Sequence, residues 1–304
     1  MHSRLNIPAL ARVKAVNDTF AHPLAQGSGN TAAPIALADA ALYPGVFEDS
    51  NGDGIPDRPA TIPAKTYNNI QDFFQTGSVI ENGINITNTG EKAGITAGIS
   101  RMTQEGIIRN QKASRTALNF GGSGHLDNGL FVQGAVDYVN TTQQTPQASP
   151  SIFSDYSGGS EGSVFDRLFY LPRNYNLMGY PYENPITKSN IFYRPLDNPI
   201  WITKYNLYNS NVNRVYGNLS LKYDITDWLE VSLKGGINTY TDNRRSVVAK
   251  GSAYTPAGQI WIDNLTNTEQ DYNLIFTVTK DLGPKLNFRG IVGMNANQRE
   301  MRLS

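Results

Sequence analysis

The sequence predicts an all-β protein, an antiparallel transmembrane β-barrel segment of about eight strands. Three observations predict it. From Val79 onward, apolar and polar residues alternate with period two, which marks strands with one apolar face. Each alternating run is about ten residues long, enough to cross a bilayer as a tilted strand. Short and long connections alternate strictly along the chain. Outer-membrane barrels do this, with short periplasmic turns and long extracellular loops.

The strands follow in order. Ile80, Ile84 and Ile86 share one parity, against Glu81, Asn85 and Thr87. After the turn "NTGEK", Ala93, Ile95, Ala97 and Ile99 oppose Thr96, Gly98 and Ser100. Leu118 and Phe120 mark a third strand, and Leu130, Val132, Val136 and Tyr138 a fourth. Val215, Leu219, Leu221 and Tyr223 mark the fifth, and Leu229, Val231, Leu233 and Ile237 the sixth. Tyr272, Leu274, Phe276 and Val278 then lead through "DLGPK" to Leu286, Phe288, Val292 and Met294. The short connections lie near 88–92, 124–128, 224–228 and 281–285, and the long ones near 103–114, 142–212 and 242–270. On this reading Ile95, Ile99, Val132, Leu219, Leu233, Phe276 and Val292 face lipid. Glu81, Asp137, Lys222, Glu230, Lys234 and Arg289 face a wet lumen. Tyr138 and Tyr272 belong to an outer aromatic girdle and Tyr223 to an inner one. A soluble antiparallel sandwich or propeller also alternates. The strict loop alternation and the long polar loop favour the barrel, and no repeat near forty residues marks a propeller.

Composition agrees. Hydrophobic residues make up 39% of the 304, and Gly, Asn, Thr, Ser and Tyr fill the rest, a mix for strands and polar loops. Lys plus Arg and Asp plus Glu balance at 26 each, so no clustered basic surface marks a nucleic-acid partner. Without cysteine there is no disulfide framework and no thiolate metal site. No apolar run reaches the length of a membrane-spanning helix. The opening "MHSRLNIPALARVKAV" does not read as a secretory signal. Residues 1–78 read as an extended N-terminal segment and extracellular loop, with a short strand or helix near Ile7–Val16, and residues 79–304 as a partial barrel.

Two loops carry candidate sites. In "DSNGDGIPD", Asp49, Asn51, Asp53 and Asp57 present spaced oxygens, Ile55 adds a backbone carbonyl, and Gly54 stands at the sharp turn. That is the alternation of a calcium loop, although the twelfth position is Ala60 where a bidentate Glu belongs. A solvated Asx-rich turn has the same residues. Loop 142–212 contains thirteen aromatic residues. Tyr180, Tyr182, Tyr193, Trp201 and Tyr205 are candidates for contact with a substrate or a partner, and packing of the loop on itself is the alternative. Within that loop "SVFDRLFYLP" predicts a short helix with Phe165, Leu168 and Phe169 on its apolar side, ended by Pro172. Enzymatic signatures are poor. His2, His22 and His125 have no metal-ligand spacing, and neither a G-x-S-x-G elbow nor a P-loop occurs.

Several long segments add a resemblance. "FFQTG" runs into "NGINITNTGEKAGITAGISRMTQEGII". Later come "VFDRLFYLPRNYNLMGYPYENP" and "NRVYGNLSLKYDITDWLEVSLKGGINTYTDNRR". From about Tyr43 onward the chain resembles the barrel of SusC/RagA-type TonB-dependent outer-membrane transporters. The resemblance implies import of glycan oligosaccharides or peptides, a SusD-like surface lipoprotein as lid, energy from TonB, and a barrel of about 22 strands around a plug. Neither plug nor TonB box is present in the sequence, so it reads as an internal piece of such a protein, with the TonB complex engaged through an N-terminal part. The alternative from a different class is a soluble all-β module that binds carbohydrate through loop 142–212; detergent dependence separates the two.

Overall fold

The computed structural model describes residues 19–26, 33–146, 164–283 and 285–304, apart from the side chain of Asp166. The element expected near Ile7–Val16 lies outside them. Four short strands come first: β1 (Thr19–Ala21), β2 (Phe47–Glu48), β3 (Arg58–Pro59) and β4 (Thr61–Pro63). β1 pairs with β4 and β2 with β3. Eight long strands follow: β5 (Ser78–Thr89), β6 (Ala93–Glu105), β7 (Lys112–His125), β8 (Phe131–Pro146), β9 (Leu207–Thr226), β10 (Leu229–Val248), β11 (Gln259–Gly283) and β12 (Leu286–Leu303). They form one antiparallel meander in which each strand pairs with the next in sequence.

Register decides which side chains share a face, because directly opposed residues project to the same side. Ile84 opposes Ile99, Ile99 opposes Leu118, Leu118 opposes Tyr138, and Tyr138 opposes Val215. Followed through every pair, the register puts all seven residues expected to face lipid on one side of the sheet. Tyr138, Tyr223 and Tyr272 join them. The six residues expected to face a lumen lie on the other side, where Lys222 and Glu230 form an ion pair at 2.6 Å.

The apolar band does not run square to the strands. Its centre in β5 is near Ile84, whose row continues across the sheet to Glu300 in β12. Its centre in β12 is Val292, eight residues away. The intermediate centres, near Leu219 in β9 and Leu233 in β10, descend steadily between these ends. A drop of eight residues over seven strand spacings, at about 3.3 Å per residue and about 4.8 Å per spacing, is a tilt of about 38°. Barrel strands tilt by roughly 35–45°. Along β11 the apolar face is bounded by Gln270 and Lys280. At that tilt the interval rises roughly 26 Å, close to the apolar band of about 25 Å on a membrane barrel.

Two expectations need correction. The strands are longer than ten residues: β5 has 12 and β11 has 25. The connection expected at 242–270 is mostly strand. β10 runs to Val248 and β11 begins at Gln259, because Thr, Asn and charged residues pair there across a ribbon that extends beyond the apolar band. Polar residues ended the alternation that was legible, but they did not end the backbone ladder. The order of short and long connections survives: 90–92, 126–130, 227–228 and 284–285 at one end, against 106–111, 147–206 and 249–258 at the other.

The buried core lies at the long-loop end, outside the sheet. It joins Leu24, Ile35, Val46 and Phe73 of the N-terminal segment to Ile108, Leu168, Leu177 and Trp201 of the loops. Three short α-helices, α1 (Asn69–Phe73), α2 (Val164–Phe169) and α3 (Pro199–Tyr205), and a 3-10 helix over Leu37–Leu42 frame this cap. α2 is the expected helix, but its apolar side differs. Val164 and Leu168, four residues apart, point into the core, while Phe169 is 60% exposed. Phe165 and Phe169 form the neighbouring stripe and continue a stack from Phe74, with ring centroids 6.3 and 6.4 Å apart.

Leu168→Ala is expected to destabilise the cap by about 2–5 kcal/mol. Hydrogen exchange should accelerate over residues 164–206, with protection in β7 and β8 unchanged.

Candidate functional site

The cap is the candidate site, because it closes the end of the sheet where the long connections gather. Buried polar side chains hold it together. Asn69 on α1 donates to the Tyr175 carbonyl at 2.8 Å and accepts from the Leu177 amide at 3.1 Å. Asn198 is fully buried. Its side-chain oxygen caps α3 by accepting from the Ile200 amide at 2.9 Å, and its amide donates to the Ile191 carbonyl. Asp197 accepts from the Ser252 hydroxyl and the Ala253 amide, both at 2.6 Å, which ties connection 147–206 to connection 249–258. Gly251 completes that junction. It sits at φ 87°, and an added Cβ would come 2.5 Å from the Ser189 Cα, so only glycine fits there.

The predicted aromatic residues fall into two kinds. Trp201 is 0% exposed and donates from its indole to the Lys188 carbonyl at 2.9 Å. It packs the cap and offers no face to a ligand. Tyr180, Tyr182, Tyr193 and Tyr205 are half-buried around the core. Lys204 stands over the rings of Tyr182 and Tyr205, 5.3 and 4.9 Å from their centroids, and bonds Glu183 at 3.0 Å. One face of each ring is therefore taken by the ammonium group. Tyr193 lies against Tyr175 and Phe192, with Arg194 over its ring.

Sequence reasoning gave no role to His22. It is 3% exposed, its ring lies 4.4 Å from Tyr180, and its Nδ1 accepts from the Leu24 amide at 3.3 Å. Burial lowers its pKa to about 4 and pushes that of Tyr180 up to about 12. An isolated histidine in a Pro- and Gly-rich segment has no periodicity to betray its burial. The hydroxyl of Tyr175, buried beside Tyr180 and Tyr193, has no hydrogen-bond partner among the described residues.

The loop 49–57 is closed on itself. Asp49 accepts from the amides of Gly52 and Gly54, each at 2.6 Å, and from Asn51 at 3.1 Å. The Gly54 amide is the largest influence holding its carboxyl below the ordinary range. Asp53 accepts from the Ile55 amide at 2.8 Å, and Asp57 from the Ser50 amide and hydroxyl. Gly52 and Gly54 take φ of 82° and 87°, which the tight turn requires. A cation would share oxygens that already accept the loop's own hydrogens. Among the described residues no three His, Cys, Asp or Glu side chains converge as a metal-holding group.

Comparison with known proteins gives the fold a counterpart. No protein-family model matches the chain, and no curated protein matches it. Solved structures do. The RagAB peptide transporter matches with a TM-score of 0.62 and 15% identity, over 78% of this chain and 26% of that chain. The RagAB peptide importer in an open-open state matches at 0.60 and 14%, over 89% and 33%. The same importer in a closed-closed state matches at 0.59 and 12%, over 79% and 30%. The chain thus spans about a third or less of the chains it resembles. A likeness at these identities shows the fold: an antiparallel β-barrel segment. Among the described residues no helix is long and apolar enough to cross a membrane.

The buried histidine gives the cap a pH dependence. Its folded pKa is depressed, so the unfolded chain binds the proton more readily. The stabilisation is present above pH 6.5 and is lost as pH falls towards about 4. After solvent screening the loss is on the order of 1–2 kcal/mol. The protection of residues 170–182 against hydrogen exchange, corrected for the intrinsic rate at each pH, should fall between pH 6.5 and 4 in the natural chain and stay flat over that range in His22→Gln.

Proposed function

We propose that the chain forms part of a TonB-dependent outer-membrane nutrient importer of the SusC-like kind. The observation that carries this is the tilted apolar band. A soluble sandwich buries its apolar face under a second layer. Here Ile84, Ile95, Phe120, Leu219 and Val292 are exposed, and the band has the height and tilt that a bilayer requires. In this reading the apolar face meets lipid, the polar face lines the lumen, the short turns are periplasmic, and the cap stands at the extracellular mouth. The half-exposed tyrosines Tyr180, Tyr182, Tyr193 and Tyr205 are placed to meet a SusD-like lipoprotein or the incoming nutrient. The RagAB structures are described as a peptide importer, which favours peptide over glycan as cargo. TonB would supply the energy. Non-enzymatic import needs no reacting group in the cap. The competing reading, a soluble carbohydrate-binding module, has less support. Trp201 is buried, and Lys204 covers one face of both Tyr182 and Tyr205.

The loop 49–57 would serve as a stiffening turn beside this mouth, with Asp49, Asn51, Asp53, Asp57 and the Ile55 carbonyl as calcium ligands of extracellular-type affinity.

Two measurements test these readings. Leu233→Arg, at mid-height on the apolar face, should destabilise the bilayer-inserted protein by about 2–4 kcal/mol. Lys234→Ala, one residue along, should change it little. Equal effects in a denaturant titration from liposomes would sink the membrane reading. Calcium on the order of 1 mM should raise the thermal midpoint of the cap, and Asp53→Ala should abolish the rise. No shift in the natural chain would remove calcium from the account.

A further inference from the structure

The outward face of the sheet does not become featureless above its apolar band. Towards the long-loop end of this face, Asn82, Arg101, Thr116, Asn140 and Asn213 oppose one another in register, on a row that leaves the tilted band as it crosses from β5 to β9. Above them lies a concavity of about 790 Å³. Its floor on this face is formed by Thr103, Ser114, Thr142, Asn211 and Asn243, again directly opposed from strand to strand. Ser114 and Thr142 share a hydrogen bond at 2.7 Å. Lys112 lines the concavity, and Arg245 shares its row. Both cations are exposed, and among the described residues no ion pair engages either one. Among the described residues Glu105, opposite Lys112, is the one acid lining the concavity.

Position selects the occupant. This surface is on the same side as Ile99, Leu118 and Leu219, away from the lumen, so a nutrient passing through the barrel never meets it. In the membrane reading, on which this inference rests, it stands in the headgroup layer of the outer leaflet. A molecule seated there continues downward as acyl chains along the apolar band. The hydroxyl and carboxamide floor suits sugar hydroxyls, since each such group both donates and accepts hydrogen bonds. Lys112 and Arg245, on one row, suit phosphate. We propose that this concavity is a binding site for the phosphorylated sugar headgroup of an outer-leaflet glycolipid.

The test uses the full chain in lipid nanodiscs, with a bisphosphorylated diglucosamine lipid as probe and native mass spectrometry as readout. Phosphatidylglycerol and the same glycolipid without its phosphates are the comparisons. The natural chain should retain the phosphorylated glycolipid selectively. Lys112→Gln combined with Arg245→Gln should retain it about thirtyfold less, at roughly one unit of surface attraction per charge, with circular dichroism unchanged. Arg245→Lys alone should recover most of the binding given by that charge. Equal retention by the natural chain and the double variant would overturn the site, as would equal retention of phosphatidylglycerol. Failure of the chain to enter the discs would instead overturn the membrane reading itself.

Discussion

The backbone of a strand satisfies its hydrogen bonds only sideways, through its neighbours. In this protein eight strands meet that demand by pairing each with the next, from β5 to β12, in an unbroken antiparallel ladder. The ladder leaves side chains no freedom of direction. Residues two apart must share a face, and residues opposed across strands must share it too. A slip of one residue between β9 and β10 would put Leu233 beside Lys222 and drive charge into the apolar band. The alternation in the sequence is therefore binding on the whole sheet. It yields one face that is apolar over a limited height and one that is mostly polar. The outer edges of β5 and β12 have no strand partner among the described residues, and such edges call for continuation or cover.

The long-loop end obeys a different rule. Its stability comes from a small apolar core fed by segments far apart in sequence, from Leu24 to Trp201. Irregular backbone in such a core must have its polar groups answered by side chains. Asn69, Asn198 and Asp197 do this, each bridging segments that carry no regular pairing. The result is a shaped mass of loops fixed over one end of the sheet. On the proposed importer reading this mass stands at the mouth, where loops held rigidly can present the same surface to a partner at every encounter.

Much of the sheet was legible because alternation is a local signal. Ile95, Ile99 and Phe276 announce their face without reference to any other strand. Strand ends were not legible. Between Thr241 and Ser246 β10 is polar on both faces, and pairing continues through backbone bonds that carry no residue signature. The cap was the hardest part. Trp201 and Tyr205 lie only four residues apart, yet the first is buried and the second half-exposed. Position in a core built from distant segments decides this, and no spacing rule expresses it. Asn198 and Asp197 read as ordinary turn residues, and His22 as an isolated one, because their roles depend on partners on other segments. In the loop 49–57 the spacing of acids was visible, but not that their oxygens already accept the loop's own amides.

The central claim is that one face of this sheet contacts lipid along a band tilted to the strands. Spin labels placed singly from 270 to 280 along β11, in bilayer-inserted protein, test it most directly through their accessibility to oxygen and to a water-soluble relaxant. The account predicts alternation with period two. Oxygen access should be highest at the even positions 272–278, and the aqueous reagent should dominate at the odd ones. The same scan in β5 should place the most lipid-exposed label near residue 84, at the same depth as 292 in β12. Uniform aqueous access along β11, or bands at equal register across the strands, would contradict it.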